Sequence, residues 1–210
     1  MPRIWLLISC GVALTIALGG CPASLAPDVE EIPGGGGSTG TGGSAGPATA
    51  GTQAVNDELA EQFPGCTEPA SGQAWRDEIL RLVNEERQRE GLSAVVRNDT
   101  LEEQATQYAC ELIYYDFFAH VNPMTGSELR DRALEFEYDY LIIGENLAAG
   151  QSTPAEAVTA WMNSEKHREN ILNPEFTELG VGVRTGGRYG TYWVQEFGRP
   201  LPSGLMVFRR

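Results

Sequence analysis

The chain holds only two histidines, and each lies in a setting that could carry chemistry. His120 occurs in Phe117-Phe118-Ala119-His120-Val121-Asn122-Pro123, and His167 in Trp161-Met162-Asn163-Ser164-Glu165-Lys166-His167-Arg168-Glu169-Asn170-Ile171-Leu172. Between them Ile143-Gly144-Glu145-Asn146-Leu147-Ala148 sets an acid inside an apolar, strand-like run. A carboxylate there must be exposed by its register or buried with a partner, because an unpaired buried charge is costly. Two neutral imidazoles and a carboxylate suit a divalent metal such as zinc, with water in the open positions. The same trio suits general acid–base catalysis, the carboxylate orienting one imidazole. It also suits a hydrogen-bonded network that locks three segments together without chemistry. The three residues lack the close spacing of a metalloenzyme helix, so a metal site built from them would be of modest affinity. A nucleophile is harder to find. Ser164 is the only serine near a motif histidine, and its place at a helix end explains it equally well. Its neighbour Glu165 is either a further acid in the cleft or a solvated surface residue.

The elements that must position these groups follow from periodicity. Trp75, Ile79, Leu82 and Val83 recur at helical spacing until Gly91, a glycine placed to end a helix. Leu101, Ala105, Tyr108, Ala109, Leu112 and Ile113 form a stronger helical face, with Thr100 and Glu103 offering a capping box. His120 follows the end of that helix. Ser127 is placed to cap a short helix running through Leu134. Thr153-Pro154-Ala155-Glu156 combines a capping hydroxyl, a first-turn proline and an acid at the third position, and opens the helix that His167 follows. The period then changes. Leu179, Val181 and Val183 alternate with glycines, and after Gly186-Gly187 a row of Tyr192, Val194 and Glu196 alternates with Thr191, Trp193 and Gln195. Two strands joined by a glycine turn make a hairpin, and Leu141 to Leu147 supplies a third strand. The expected class is α+β, a small antiparallel sheet covered by helices. Tyr108, Tyr114, Tyr115, Phe117 and Phe118 form an aromatic cluster that reads as core, or as the wall of a groove for a hydrophobic ligand.

Taken together, these segments resemble the signatures of the CAP superfamily (SCP-like extracellular domains), above all its short bacterial branch. The likeness covers about residues 74 to 198. It runs in order through Asn84-Glu85-Glu86-Arg87, His120-x-x-Pro123, Gly144-Glu145-Asn146-Leu147-Ala148, Trp161-x-x-Ser164-x-x-His167-Arg168-x-Asn170-Ile171-Leu172 and Leu179-Gly180-Val181-Gly182. The resemblance implies an α-β-α sandwich with a surface cleft in which His120, Glu145 and His167 converge. It sets Ser164 where many eukaryotic members carry a second glutamate. Two features depart from the pattern. Tyr192-Trp193-Val194-Gln195 lacks the Gly-His pair of many secreted relatives, so the second histidine here is His167. Glu165-Lys166 stands where bacterial members often have Pro-Gly. Eukaryotic members are associated with sterol and fatty-acid binding, which implies a lipid or protein ligand as an alternative to a metal.

Outside the likeness the chain reads as an exported and anchored protein. Residues 1–20 look like a lipoprotein signal peptide, in which Arg3 precedes an apolar run from Ile4 to Leu18 that is short for a membrane span. It ends in Leu18-Gly19-Gly20-Cys21, which places Cys21 for lipidation; the plainer alternative is an ordinary cleaved signal. Acyl chains on Cys21 would hold the protein to a membrane, at about 0.8 kcal/mol per buried CH2, and Pro22 after it fits an outer membrane if the source is Gram-negative. Residues 21–62, with their Gly34–Ser44 run, read as a flexible tether spanning roughly 35 Å. Residues 63–200 hold the folded domain, and 201–210 a tail of no assignable role. Cys66 and Cys110 remain as an even pair in an exported domain, expected to be bridged and worth roughly 4 kcal/mol in the chain-entropy view, or else two buried thiols. The net charge of -14 and the lack of a basic patch exclude nucleic acid as a natural partner. The expectation is a tethered cell-surface binding module with a His/Glu cleft; the alternative is a metal-dependent or acid–base hydrolase using the same cleft.

Overall fold

A strand whose consecutive residues are all buried must be covered on both faces, and the C-terminal hairpin meets that condition. The computed structural model describes residues 50–202. Its hairpin pairs β3 (Glu178–Gly186) with β4 (Gly190–Pro200), and β4 pairs on its other side with β2 (Tyr140–Ala149), both antiparallel. A two-residue strand β1 (Val96–Arg97), which periodicity did not reveal, adds a parallel edge to β3. The sheet order is β1-β3-β4-β2.

Helices α2 (Gly72–Arg89), α5 (Pro154–Asn163) and α6 (Glu165–Ile171) lie on one side of the sheet. There Ile79, Val83, Val158, Trp161 and Ile171 pack with Leu179, Val181, Val183, Trp193 and Phe197. Helix α3 (Asp99–Tyr114) covers the opposite side, where Ala105, Tyr108, Ala109 and Leu112 meet Leu147, Tyr192 and Val194. The α3 side of β3 is made of Gly180 and Gly182. A Cβ on either would come within 2.2 Å of α3 backbone atoms, so glycine is what allows the helix to lie flat on the strand. The result is the expected α+β class and α-β-α sandwich.

The remaining elements are α1 (Ala50–Gln62) and α4 (Leu129–Glu135). Helix α1 covers the last thirteen residues of the segment read as tether. The reason is that Leu59 and Phe63, one turn apart, are buried against the α3 cluster. Residues 1–49, which include the signal segment, Cys21 and most of the tether, lie outside the described residues, as do 203–210 of the tail.

Two caps also differ from expectation. Asn98, not Thr100, caps α3 by accepting from the Leu101 N–H at 3.0 Å. Glu128, not Ser127, precedes α4, and its N–H is held by Asp131. In each case several capping residues stand in a row, and tertiary packing selects one. Thr153 caps α5 as expected. Cys66 and Cys110 are joined in a disulfide with Cα atoms 5.2 Å apart, and Gly91 ends α2 in the left-handed region at φ +72°. The aromatic cluster divides: Tyr108 and Phe117 are core, while Tyr114 and Tyr115 reach the surface.

Candidate functional site

The site begins where α3 ends. Two α3 side chains fix the loop that carries His120. The Tyr108 hydroxyl donates to the Ala119 carbonyl at 2.6 Å, and Glu111 accepts from the Asn122 amide at 2.8 Å. Asn122 is fully buried and turns the loop by accepting from the Met124 N–H. His120 is thereby held at the surface with its side chain 56% exposed.

Glu145 lies beneath it on β2, its side chain only 2% exposed, and both carboxylate oxygens are engaged. One meets His120 Nδ1 at 2.7 Å, and the other accepts from Arg132 Nη2 at 2.5 Å. Arg132, on α4, is itself buried; it donates to the His120 carbonyl at 3.3 Å and stacks 3.4 Å above the Tyr108 ring. Burial disfavours the Arg132 cation, but Glu145, Tyr108 and Glu196 together outweigh it and carry its pKa upward. A carboxylate accepts, so Nδ1 of His120 is the donor to Glu145, and in the neutral form of the ring Nε2 is then the lone-pair nitrogen.

Three side-chain amides bring His167 to this place. Asn146 is buried next to Glu145 on the opposite side of β2 and donates both to the His167 carbonyl at 3.0 Å and to Gln195 at 3.1 Å. Asn170, one turn beyond His167 on α6, donates to the Glu145 carbonyl at 3.1 Å and to the Asn146 side chain at 2.8 Å. Helix α6 is thus bolted to the strand that holds Glu145. Burial and the nearby His120 lower the pKa of His167 from its usual 6.5, so it is a neutral imidazole at neutral pH. Ser164 is the extended residue between α5 and α6, with no capping bond from its side chain. Glu165 is exposed in the first turn of α6.

These contacts bear on the ligand set drawn from sequence. Glu145 engages one oxygen with His120 and the other with Arg132, an arrangement that orients His120. Among the described residues no group of three or more His, Cys, Asp or Glu is disposed to hold an ion. The His120 side chain is 56% exposed and His167 is half-buried and close enough to feel its charge, so the two imidazoles are the nitrogen donors of this place. Sequence reasoning missed Arg132; it placed Tyr108 only in the helical face and aromatic cluster, and quoted Asn122 without giving it a role. Asn146 and Asn170 stood inside the quoted motifs, but their role as bolts depends on two segments meeting.

A family model described as the cysteine-rich secretory protein family, CAP, matches residues 80–197. The chain belongs to this family. Among curated relatives, the Bacillus subtilis protein YkwD is 41% identical over 129 residues, 61% of this chain and 49% of YkwD. The chain thus spans about half the length of that relative. Among solved structures, an extracellular SCP-domain protein of Bacillus anthracis is 28% identical with a TM-score of 0.54, over 73% of this chain and 45% of that one. An outer surface protein of Borrelia burgdorferi, 24% identical with a TM-score of 0.55 over 60% of this chain and 92% of its own, shares the fold. The matched span takes in His120, Glu145, His167 and every residue named above as holding them.

Proposed function

We propose that this CAP domain is an exported binding module, lipid-anchored through Cys21, whose His120 and His167 imidazoles take up a divalent transition metal such as zinc. The observation that carries this reading is the chain Arg132–Glu145–His120 Nδ1, which in the neutral ring makes Nε2 the lone-pair nitrogen of a side chain that is 56% exposed. Metal-binding histidines commonly donate their other nitrogen to a carboxylate, which fixes the tautomer and raises the basicity of the donor. His167, neutral by burial, offers a second nitrogen without first shedding a proton. A bound metal would supply Lewis acidity and open coordination positions; the protein's own part is to orient the two rings. Export is supported by the secretory description of the family, and by the extracellular SCP-domain protein of Bacillus anthracis. No helix among the described residues is long and apolar enough to cross a membrane.

Zinc titration of the chain by calorimetry, beside His120→Ala and His167→Ala, tests the reading. Saturable binding at micromolar affinity that each variant weakens at least tenfold supports it; equal heats in all three chains refute it. Mass analysis of the mature N-terminus tests acylation of Cys21.

The same Nε2 lone pair favours one other reading, a hydrolase in which His120 acts as general base toward water. It predicts turnover of an ester or amide that His120→Ala abolishes. A small lipid ligand would have exposed Val121 and Met124, in the same loop as His120, for its apolar part, and zinc-independent binding would mark it.

A further inference from the structure

The register of the sheet places a second carboxyl beside the first. Glu196 on β4 is the cross-strand partner of Glu145 on β2, and paired residues in a ladder point to the same face. Glu196 is 0% exposed, and no cation is hydrogen-bonded to either of its oxygens. Fully buried Gln104 on α3 is placed to hydrogen-bond it, and the Nε of Arg132 is left unpartnered. A fully buried carboxyl without a counter-charge of its own needs an explanation, because an unpaired buried charge is costly.

The charges facing Glu196 supply one. From β2 it meets Glu145, from α4 Arg132, and from α3 Glu111 and the uncharged Gln104. Its neighbour on β3 is Gly180, which brings no charge. There is one guanidinium for two buried carboxyls, and Arg132 Nη2 is committed to Glu145. We propose that Glu196 is a positioning residue for His120: as a neutral acid it leaves Arg132 to Glu145, and when ionised it competes through Arg132 Nε and loosens the Glu145–His120 contact. Burial first, and then the charge of Glu145, raise the pKa of Glu196 well above the usual carboxylate value, which agrees with a neutral acid at neutral pH. Glu196 touches no ligand; it acts through Arg132 and Glu145. This deepens the reading of His120 as the ligand-presenting group and rests on it for its functional meaning, but not for its chemistry.

The test compares the full chain with Glu196→Gln, which keeps the shape and cannot ionise. A group whose folded pKa is raised contributes stability fully below its unfolded pKa and loses it as pH rises through the folded value. The unfolding equilibrium constant of the wild type should therefore rise relative to the variant by up to tenfold per pH unit, from about pH 4.5 upward until Glu196 ionises in the folded state. Taking the difference between the two chains cancels every other titrating group. The second readout is the pair of His120 ring proton resonances across the same range. They should show an added inflection where the stability difference levels off, absent in Glu196→Gln; a merely structural Glu196 would not produce it. Should the variant fail to fold, isotope-edited infrared spectroscopy of Glu102→Gln at pH 7 decides: with Glu102, itself raised to about 7, removed, a neutral Glu196 still gives the band of a protonated carboxyl. Parallel pH–stability curves, no added inflection, or no protonated-carboxyl band at pH 7 would each overturn the proposal. Failure of zinc to bind would remove the ligand assignment and leave all three signals intact, so the two ideas fail separately.

Discussion

Two clusters of arginine and carboxylate flank α3, and they differ in how many cations serve their carboxyls. Near the start of α3, Glu68 bridges Arg76 and Arg184, while Glu102 pairs with Arg76 and Arg97. Arg97 also meets Asp77 and Asp99, so three guanidiniums serve four carboxylates and each carboxylate has a cation within reach. Toward the His120 loop, Arg132 stands alone against Glu145 and Glu196, unpartnered polar atoms remain, and an imidazole opens to solvent. The same residue types thus serve two purposes. A saturated cluster fastens the segment around Cys66 and Glu68 to the body of the domain. A cluster short of cations keeps one carboxyl neutral and leaves a histidine free to meet something from outside.

Removing the single arginine should have the largest effect. Arg132→Ala leaves Glu145 buried without its counter-charge, and about 3–5 kcal/mol of stability should be lost, together with zinc binding, in urea denaturation and calorimetry. Glu68→Ala should cost less, about 1–3 kcal/mol, because Arg76 keeps Glu102 and Gln73 while Arg184 keeps Asn56. A loss at Glu68 equal to that at Arg132 would dissolve the contrast. Glu102 gives a pH test of the saturated cluster. Burial outweighs Arg76 and Arg97 and pushes its pKa up to about 7. Its contribution to stability is full below the unfolded value of 4.5, falls as pH rises, and is lost above about 7; Glu102→Gln should flatten that part of the pH–stability curve. The smallest effect on folding is expected at the exposed end of the other cluster. His120→Ala should change stability by no more than about 0.5 kcal/mol while removing the zinc response.

The layers of the fold were legible in the sequence because each rests on a local period. The face of α3 was written in Leu101, Ala105, Tyr108 and Ala109, and the hairpin in alternation around Gly186-Gly187. The caps were less so, since Asn98, Asp99 and Thr100 are all competent and only packing chooses. At the site, two histidines and an acid in distinctive motifs named the place but not the wiring. Nothing near Arg132 in sequence says that it will stack on Tyr108 and hold Glu145. Its partners come from α3 and β2, and the pairing exists only once the sheet has formed. Glu196 was the instructive case. It stood in the same alternating row as Tyr192 and Val194, so a carboxyl was due to face the core on the α3 side. What it would meet there depended on the register of β2 against β4, which no single strand encodes.

The bond between Cys66 and Cys110 decides how the domain would bear a mechanical load. Helix α1 lies outside the loop that this bond closes, and the chain from residue 66 is tied covalently to the last third of α3. A pull applied to the N-terminal side can peel away Leu59 and Phe63 and unwind α1 as a short extension spring. It then reaches a covalent stop, and the force passes into the helix packed against the sheet. The loop holding His120 is reached only after that stop, so the site would keep its shape while the segment ahead of it yields.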